Sequence, residues 1–570
     1  MKHPVFPETG QLRDVMLRSL LLLAVAGLAY RAFYLQVLQT PFLQDKAANR
    51  HVRVVDEHAH RGMIRDRNGE PLAISTAVNS VWADPTQFVA VRHRWSELAD
   101  LLEMPAGKLE QLIGQRLERR FVYVKRRLTP QLADQVKGLG LPGIYLQREY
   151  RRYYPTGEVS GHLLGFTNID DLGQEGIELQ FDQLLSGQPG RTRVVQDLYR
   201  RWVQPVESLE PALSGSDMTL TLDKRLQYLA YRELKAAVHR HRAASGSVVL
   251  LDIPSGDILA MVNQPSFNPN ETSGRTPAKV RNRAVTDVFE PGSTIKPFII
   301  AAALQAGIYR SDSLIDTRPG VLEVGGHKIR DHRSFGRITP KQILQKSSNV
   351  GAARVALGMD AAQIEEALRS LGIGRSTASQ LPGESDGILA PAHSWRKLDQ
   401  ATMAFGYGLS VTPLQLAKAY AILGNQGRDV SPRIVSQPAA ARPAQVITPE
   451  VADSVVRMLE AVVTPEGTAM QADVEGYRIA GKTGTAHLFR KGGYDKERYV
   501  ATFAGLAPAS APRLAMVITI QDPKGEAYYA GDVAAPVFAR VMSRALQLLH
   551  IPADGDSLPT RLVQPKGIPA

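Results

Sequence analysis

A serine hydroxyl is a poor nucleophile until a base takes its proton. In Phe289-Glu-Pro-Gly-Ser293-Thr-Ile-Lys296-Pro a lysine follows a serine by three residues, where a turn reads as the start of a helix. Positions i and i+3 share a helix face, so the amine can reach the hydroxyl. The amine must then be uncharged. Keeping a lysine neutral near pH 7 against an ordinary pKa of about 10.4 costs roughly 4 kcal/mol, which burial and a second cation can supply. A Ser-x-x-Lys pair alone says little, since about one or two are expected by chance in a chain this long. A second copy, Ser394-Trp-Arg-Lys397, is present. The first is set apart by its company, because Ser347-Ser-Asn349 and Lys482-Thr483-Gly484-Thr485 follow it in order. Ser-x-Asn recurs as Ser266-Phe-Asn268, ahead of the nucleophile, whereas Lys-Thr-Gly occurs once, in a strand-like frame. A glycine there would let a substrate backbone lie close against the strand.

The elements that must bring these segments together are partly legible. Asp223 precedes a helical run (KRLQYLAYRELKAAV) as an N-cap. Ser247–Ile253 and Ile258–Val262 flank a Pro-Ser-Gly-Asp turn and read as an antiparallel hairpin, and Val500–Leu506 pairs by the same logic with Leu514–Ile520. Val537, Phe538, Val541, Met542, Ala545, Leu546 and Leu549 form one apolar helix face. The expectation is an α+β, multidomain chain whose catalytic part is an antiparallel sheet packed by helices. Composition changes near Ser214-Gly215-Ser216, and the segment before it is Arg-rich. The expected domains are a short cytoplasmic segment (1–18), a transmembrane anchor (19–38), an elongated non-catalytic pedestal (39–215), a catalytic domain (216–552) and a loose C-terminal tail (553–570).

The chain has 570 residues, 44% of them hydrophobic and 22% charged, which excludes disordered and fibrous classes. It contains no cysteine, so disulfides, thiolate metal sites and cysteine nucleophiles are excluded. Ser19–Leu38 is apolar apart from Arg31 and spans about 30 Å as a helix, one bilayer core. Ala24-Val25-Ala26 resembles a signal cleavage site, but the apolar run before it is short for a signal peptide, so an uncleaved anchor is expected. Basic residues flank it on both sides (Lys2, Arg13 and Arg18; Lys46, Arg50 and Arg53) and leave its orientation open. Arg31 either snorkels to the interface or marks a helix contact with a partner protein.

Ser-x-x-Lys, Ser-x-Asn and Lys-Thr-Gly in this order resemble the signature of penicillin-binding proteins and serine β-lactamases. Arg61-Gly-Met-Ile-Arg-Asp66-Arg-Asn-Gly69, Arg283 to Ser293 and Gly406-Tyr407-Gly408-Leu-Ser-Val-Thr-Pro413 further resemble class B penicillin-binding proteins of the division type, the penicillin-binding protein 3 group. The resemblance implies a peptidoglycan D,D-transpeptidase of septal wall synthesis that β-lactams acylate. In it Ser293 attacks, Lys296 activates it, Ser347 relays a proton to the leaving D-alanine amine, and Asn349 holds the substrate amide and Lys296. Lys482, Thr483 and Thr485 would bind the terminal carboxylate of the stem peptide, with Gly484 and Tyr407 also in the substrate site. The backbone N–H groups of Ser293 and Thr485 would bind the oxyanion. It also implies a single-pass inner-membrane protein with its bulk in the periplasm, no cofactor, and as partners a membrane-embedded glycan polymerase and other divisome proteins. Alternatives in the same frame are a D,D-carboxypeptidase or β-lactamase-like hydrolase, and a penicillin-sensing receptor. The middle motif reads Ser-Ser-Asn instead of the Ser-Asp-Asn of class A β-lactamases, no hydrolytic Glu can be assigned, and few residues precede the anchor to signal with.

Other motifs read as structure. Gly138-Leu-Gly-Leu-Pro-Gly143 matches G-x-G-x-x-G, yet Pro142 removes a phosphate-binding N–H and a strand-like run follows. Gly383-Glu-Ser-Asp-Gly387 lies in a Pro-flanked loop, not at a strand end. His58 with His60, and His239 with His241, lack a third ligand, so no metal is expected. Arginines at 116–127 and 148–152 are expected on a solvated face, with no nucleic acid bound. Tyr407, Tyr499, Tyr528 and Tyr529 are either groove walls or core.

Overall fold

The computed structural model describes residues 9–40, 52–196, 202–436, 443–490 and 493–555. Most of the expected tail, residues 556–570, lies outside them, as do Lys2, Lys46 and Arg50. The chain divides into two compact units, one of residues up to His60 with Gly187–Ser214, the other of Arg61–Ser186 with Gly215 onward.

In the first unit a helix over Thr9–Phe33 continues as a π-helical turn, Tyr34–Leu38. Arg13–Leu38 has a mean hydropathy of 1.7 and is long and apolar enough to cross a membrane. Its leucines are exposed, Leu23 by 72%, as a lipid-facing helix requires. The Arg31 guanidinium lies 5.7 Å from the Tyr34 ring centroid. The unit also holds a three-stranded antiparallel sheet of Val52–Glu57, Gly190–Gln196 and Trp202–Glu210, in that order.

The second unit carries the chemistry. Its N-terminal part pairs β1 (Pro71–Ala83) with β2 (Val122–Leu128) and β3 (Ile144–Tyr153), with Val81, Phe88, Trp95, Leu98 and Ile113 in a small core of their own. The segment expected as a single pedestal is thus shared between the two units. One reason is pairing, since Met218–Thr219 runs parallel to Ile64–Arg65. Asp66 strengthens the joint by accepting the N–H groups of Asn68 and Glu70 and, at 3.1 Å, that of Lys224, the first residue of α1 (Lys224–Arg240). Asp223 caps α1 as its sequence predicts, accepting the Arg225 N–H.

The expectation of a wholly solvated arginine face is corrected here. Arg152 is buried beside Arg61, and both guanidiniums donate to Glu178 at 2.7 Å, with Arg61 also 2.7 Å from Asp182. Arg126 pairs with Glu149 and Asp170. These acids come from distant parts of the sequence, and buried charges must be paired.

A five-stranded antiparallel sheet forms the centre of the catalytic part, from β4 (Ser245–Asp252), β5 (Ile258–Gln264), β6 (Ala480–Arg490), β7 (Gly493–Ala507) and β8 (Leu514–Gln521), in the order β5-β4-β8-β7-β6. Both predicted hairpins are present. Further helices are α2 (Lys296–Gln305), α3 (Pro340–Lys346), α4 (Asn349–Leu357), α5 (Pro413–Gly424), α6 (Pro449–Glu460) and α7 (Ala535–Leu548). Helices α1 and α7 cover one sheet face, where Gly246 leaves room for Leu234 and Gly505 for Phe538, and α5 covers the other. Burial on both faces explains why β4 and β8 are continuous apolar runs without alternation.

Candidate active site

Ser293 sits in a 3-10 turn, Gly292–Ile295, and Lys296 is the first residue of α2. Helix α2 (KPFIIAAALQ) is apolar almost all round, so it is buried, and it takes Lys296 with it. The turn is locked by two buried bonds: Thr294 Oγ1 donates to the Pro291 carbonyl, and Tyr420 Oη on α5 to the Thr294 carbonyl. It also packs against Gly406, whose φ is +87° and where a Cβ would fall 2.1 Å from the Gly292 oxygen, so only glycine fits.

The Lys296 amine is fully buried and donates to the Ser347 carbonyl (2.6 Å), Ser347 Oγ (3.3 Å) and Asn349 Oδ1 (2.8 Å). No hydrogen bond joins it to Ser293 Oγ, although the two lie one turn apart. Burial, reinforced by the nearby Lys482 charge, pushes its pKa well below the usual lysine value. Ser347 ends α3 in the left-handed conformation (φ 58°, ψ 36°), a costly backbone for a serine. That conformation turns its carbonyl and hydroxyl towards the two lysines. Asp331, which belongs to none of the motifs, fixes this segment. Its carboxylate accepts Ser348 Oγ (2.5 Å) and the N–H groups of Asn349 (2.6 Å) and Val350 (3.1 Å), capping α4.

The edge strand β6 passes alongside. Thr483, Thr485 and His487 alternate onto the face that lines a cavity of about 670 Å³, together with Ser293, Ser347, Asn349 and Tyr407. Lys482 and Gly484 alternate onto the other face of β6. Lys482 is fully buried, and its amine reaches the cavity-lining hydroxyls, donating to Ser347 Oγ (3.0 Å) and Thr483 Oγ1 (3.4 Å) as well as to the Thr483 carbonyl (3.1 Å), with its pKa pulled down to about 7 by burial. Gly484 does not face the cavity, for a Cβ there would lie 2.6 Å from the Pro291 oxygen. Its bareness lets the strand approach the nucleophile turn, and the Thr485 nitrogen comes within 3.7 Å of where a Cβ on Gly292 would stand. A period of two forces this split.

Thr468 Oγ1 lies 2.7 Å from Thr483 Oγ1, and Thr485 Oγ1 accepts the Ala530 N–H at 3.1 Å. Tyr499, Tyr528 and Tyr529 line the same cavity as a row of rings, centroids 4.4 and 4.3 Å apart, so they are walls and not core. Tyr407 packs edge-on to Tyr494. The decoys go elsewhere: Ser394 Oγ bonds its own turn at Pro391, Lys397 reaches Gln400, and Ser266 donates to Glu158. A larger cavity of about 830 Å³, between α3, α6 and Asp473–Ile479, holds none of the motif residues.

Comparison with known proteins agrees with this geometry. The penicillin binding protein transpeptidase domain family matches residues 246–543, and the penicillin-binding protein dimerisation domain family residues 56–220. Peptidoglycan D,D-transpeptidase FtsI of Escherichia coli (strain K12) is 42% identical over 550 residues, 95% of this chain and 92% of the relative. The probable peptidoglycan D,D-transpeptidase PenA of Neisseria gonorrhoeae is 37% identical, covering 97% and 94%. Among solved structures, penicillin-binding protein 3 of Mycobacterium tuberculosis complexed with aztreonam is 28% identical over 88% of this chain and 98% of that one, with a TM-score of 0.68. With the three motifs on one cleft and relatives this similar over nearly its full length, the chain belongs to the penicillin-binding proteins, in their class B, division-type branch.

Proposed function

We propose that this chain is a membrane-anchored peptidoglycan D,D-transpeptidase of septal wall synthesis. Ser293 Oγ attacks the carbonyl of the penultimate D-alanine of a stem peptide, and Lys296 Nζ, neutral through burial, takes its proton. The tetrahedral oxyanion forms against the backbone N–H groups of Ser293 and Thr485, each such donor worth roughly 3–4 kcal/mol. As the C–N bond breaks, Ser347 gives its proton to the departing amine of the terminal D-alanine and recovers one from the lysines. The amine of a neighbouring stem then attacks the seryl ester, loses a proton along the same route, and leaves a cross-link and free Ser293. Asn349 holds Lys296 and the substrate amide. Thr483 and Thr485 bind the terminal carboxylate, with Lys482 supplying positive potential from behind the strand and Tyr407 flanking the peptide.

One observation carries the reading: Ser347 Oγ accepts from both buried amines, Lys296 and Lys482, at the edge of the cavity that Ser293 lines. Such a bridging hydroxyl has its own proton left to point at a ligand. A β-lactam would acylate the same serine. We place the bulk of the chain in the periplasm, beyond an inner-membrane anchor, and infer as partners a membrane-embedded glycan polymerase and other divisome proteins. Stable fluorescent penicillin labelling of the wild type and Ser394→Ala, and its loss in Ser293→Ala, is the expected result. Label surviving on Ser293→Ala would overturn the assignment, and rapid release of label would favour a hydrolase.

A further inference from the structure

Away from the active-site cavity, a pocket of about 360 Å³ lies between the last turn of α4 and the segment 309–322 that follows α2. Helices α2 and α4 pack on each other and begin at Lys296 and Asn349, whose side chains share a hydrogen bond. The pocket is at the opposite end of that pair, roughly 12 Å from Asn349 along α4. Leu314, Leu322 and Leu357 give it apolar walls. Tyr309 Oη also reaches it, close enough to Gly358 that a Cβ there would lie 2.8 Å away.

One charged group in this pocket has no counterpart. Arg354 on α4 is half-buried with its Nε shut off from solvent, and among the described residues its guanidinium forms no hydrogen bond and no ion pair. Other half-buried arginines are matched, Arg369 by Glu365 and Arg433 by Asp257, each at 2.6 Å. Asp316 lines the pocket as well, but its carboxylate is engaged by Arg318 at 2.5 Å and has Arg337 at 3.9 Å. A buried N–H without an acceptor is unfavourable, and an acceptor that arrives with a ligand removes that cost. The planar fork of a guanidinium matches the two oxygens of a carboxylate, and apolar walls around a single polar anchor suit an organic ligand.

We propose that this pocket binds a small organic carboxylate, with Arg354 holding the carboxylate, Tyr309 Oη as a further donor, and Leu314, Leu322 and Leu357 against the apolar body. Its volume is that of about a dozen waters in the liquid, which sets the ligand at about a dozen non-hydrogen atoms. The site is separate from Ser293 and takes no part in the reaction there.

The test uses the full-length protein and 4-phenylbutyrate, a carboxylate of that size, beside its uncharged amide and inorganic phosphate, with binding read by ligand-observed NMR. A dissociation constant on the order of 1 mM is expected for the carboxylate, and values about ten-fold weaker for the amide and for phosphate. Arg354→Met removes the guanidinium without stranding a partner, so it should leave the thermal melt in place and weaken the carboxylate to the level of the amide. Leu322→Trp, which fills the pocket with Arg354 intact, should weaken it as much, and raised salt should weaken it in the wild type. Equal affinity for acid and amide, or binding undiminished in either variant, would overturn the proposal. So would phosphate binding as tightly as the carboxylate, which would reduce the site to a surface anion contact. Binding that disappears once Ser293 carries penicillin would also overturn it, because the probe would then lie in the active-site cavity.

Discussion

Two lysines that never meet solvent set the chemistry at the scale of single residues. Lys482 has a folded-state pKa of about 7 against an ordinary 10.5, and Lys296 is shifted in the same direction. Between those two pH values the unfolded chain binds more protons than the folded one, so stability rises with pH across that window. Below about 7 the full cost is borne. Lys482→Met should therefore raise stability at pH 7 by roughly 3–5 kcal/mol less the lost Ser347 bond, and should show a smaller gain from pH 7 to pH 10 than the wild type. Urea midpoints at the two pH values measure this, and acylation by penicillin should be nearly abolished in the same variant. A Lys482→Met protein that is less stable at pH 7 would mean the amine is not desolvated as described. Stability given up for a neutral base is the expected trade at an active site.

At the scale of elements, the site is the meeting of a turn, a helix junction and an edge strand, and glycine decides how closely they meet. Gly484→Ala should push β6 away from the nucleophile turn, because the new methyl would sit 2.6 Å from a carbonyl oxygen that cannot swing aside. We expect acylation to fall about 10- to 100-fold with only a modest loss of stability, since a misplacement near 1 Å is worth that much. Stopped-flow acylation beside a thermal melt would test it, and an unchanged rate would show that the strand can yield.

At the scale of the whole molecule, the second unit is held together across long stretches of sequence by buried Arg61, Arg152 and Glu178 with the half-buried Asp182. Glu178 is shared by two buried guanidiniums, so Glu178→Ala leaves both charges short of a partner and should cost about 3–5 kcal/mol. Denaturant unfolding would show it as a lowered midpoint. The mechanism is the loss of a charge, so Glu178→Gln should recover only a small part. A near-neutral Glu178→Ala would show that Asp182 suffices for both arginines.

The sequence by itself determined the local and compositional facts. Ser293 and Lys296 are one turn apart, so covalent spacing alone places their backbones. The two hairpins and the α7 face follow from periodicity, and the Asp223 cap from side-chain chemistry that acts within three residues. The order of the three motifs marks the cleft and the family. What the sequence left open depends on contacts between distant segments. The pleat assigns alternate residues of β6 to opposite faces, and only the position of α2 and Ser347 decides which face is inside and brings the Lys482 amine onto the Ser347 hydroxyl. Asp331 carries no local signal, since its partners at 348–350 come close only through folding. Arg152 looked solvated for the same reason, as the acid that permits its burial lies on another element. Local patterns are written in the order of residues, but burial, charge pairing and the meeting of two amines on one hydroxyl belong to the folded arrangement alone.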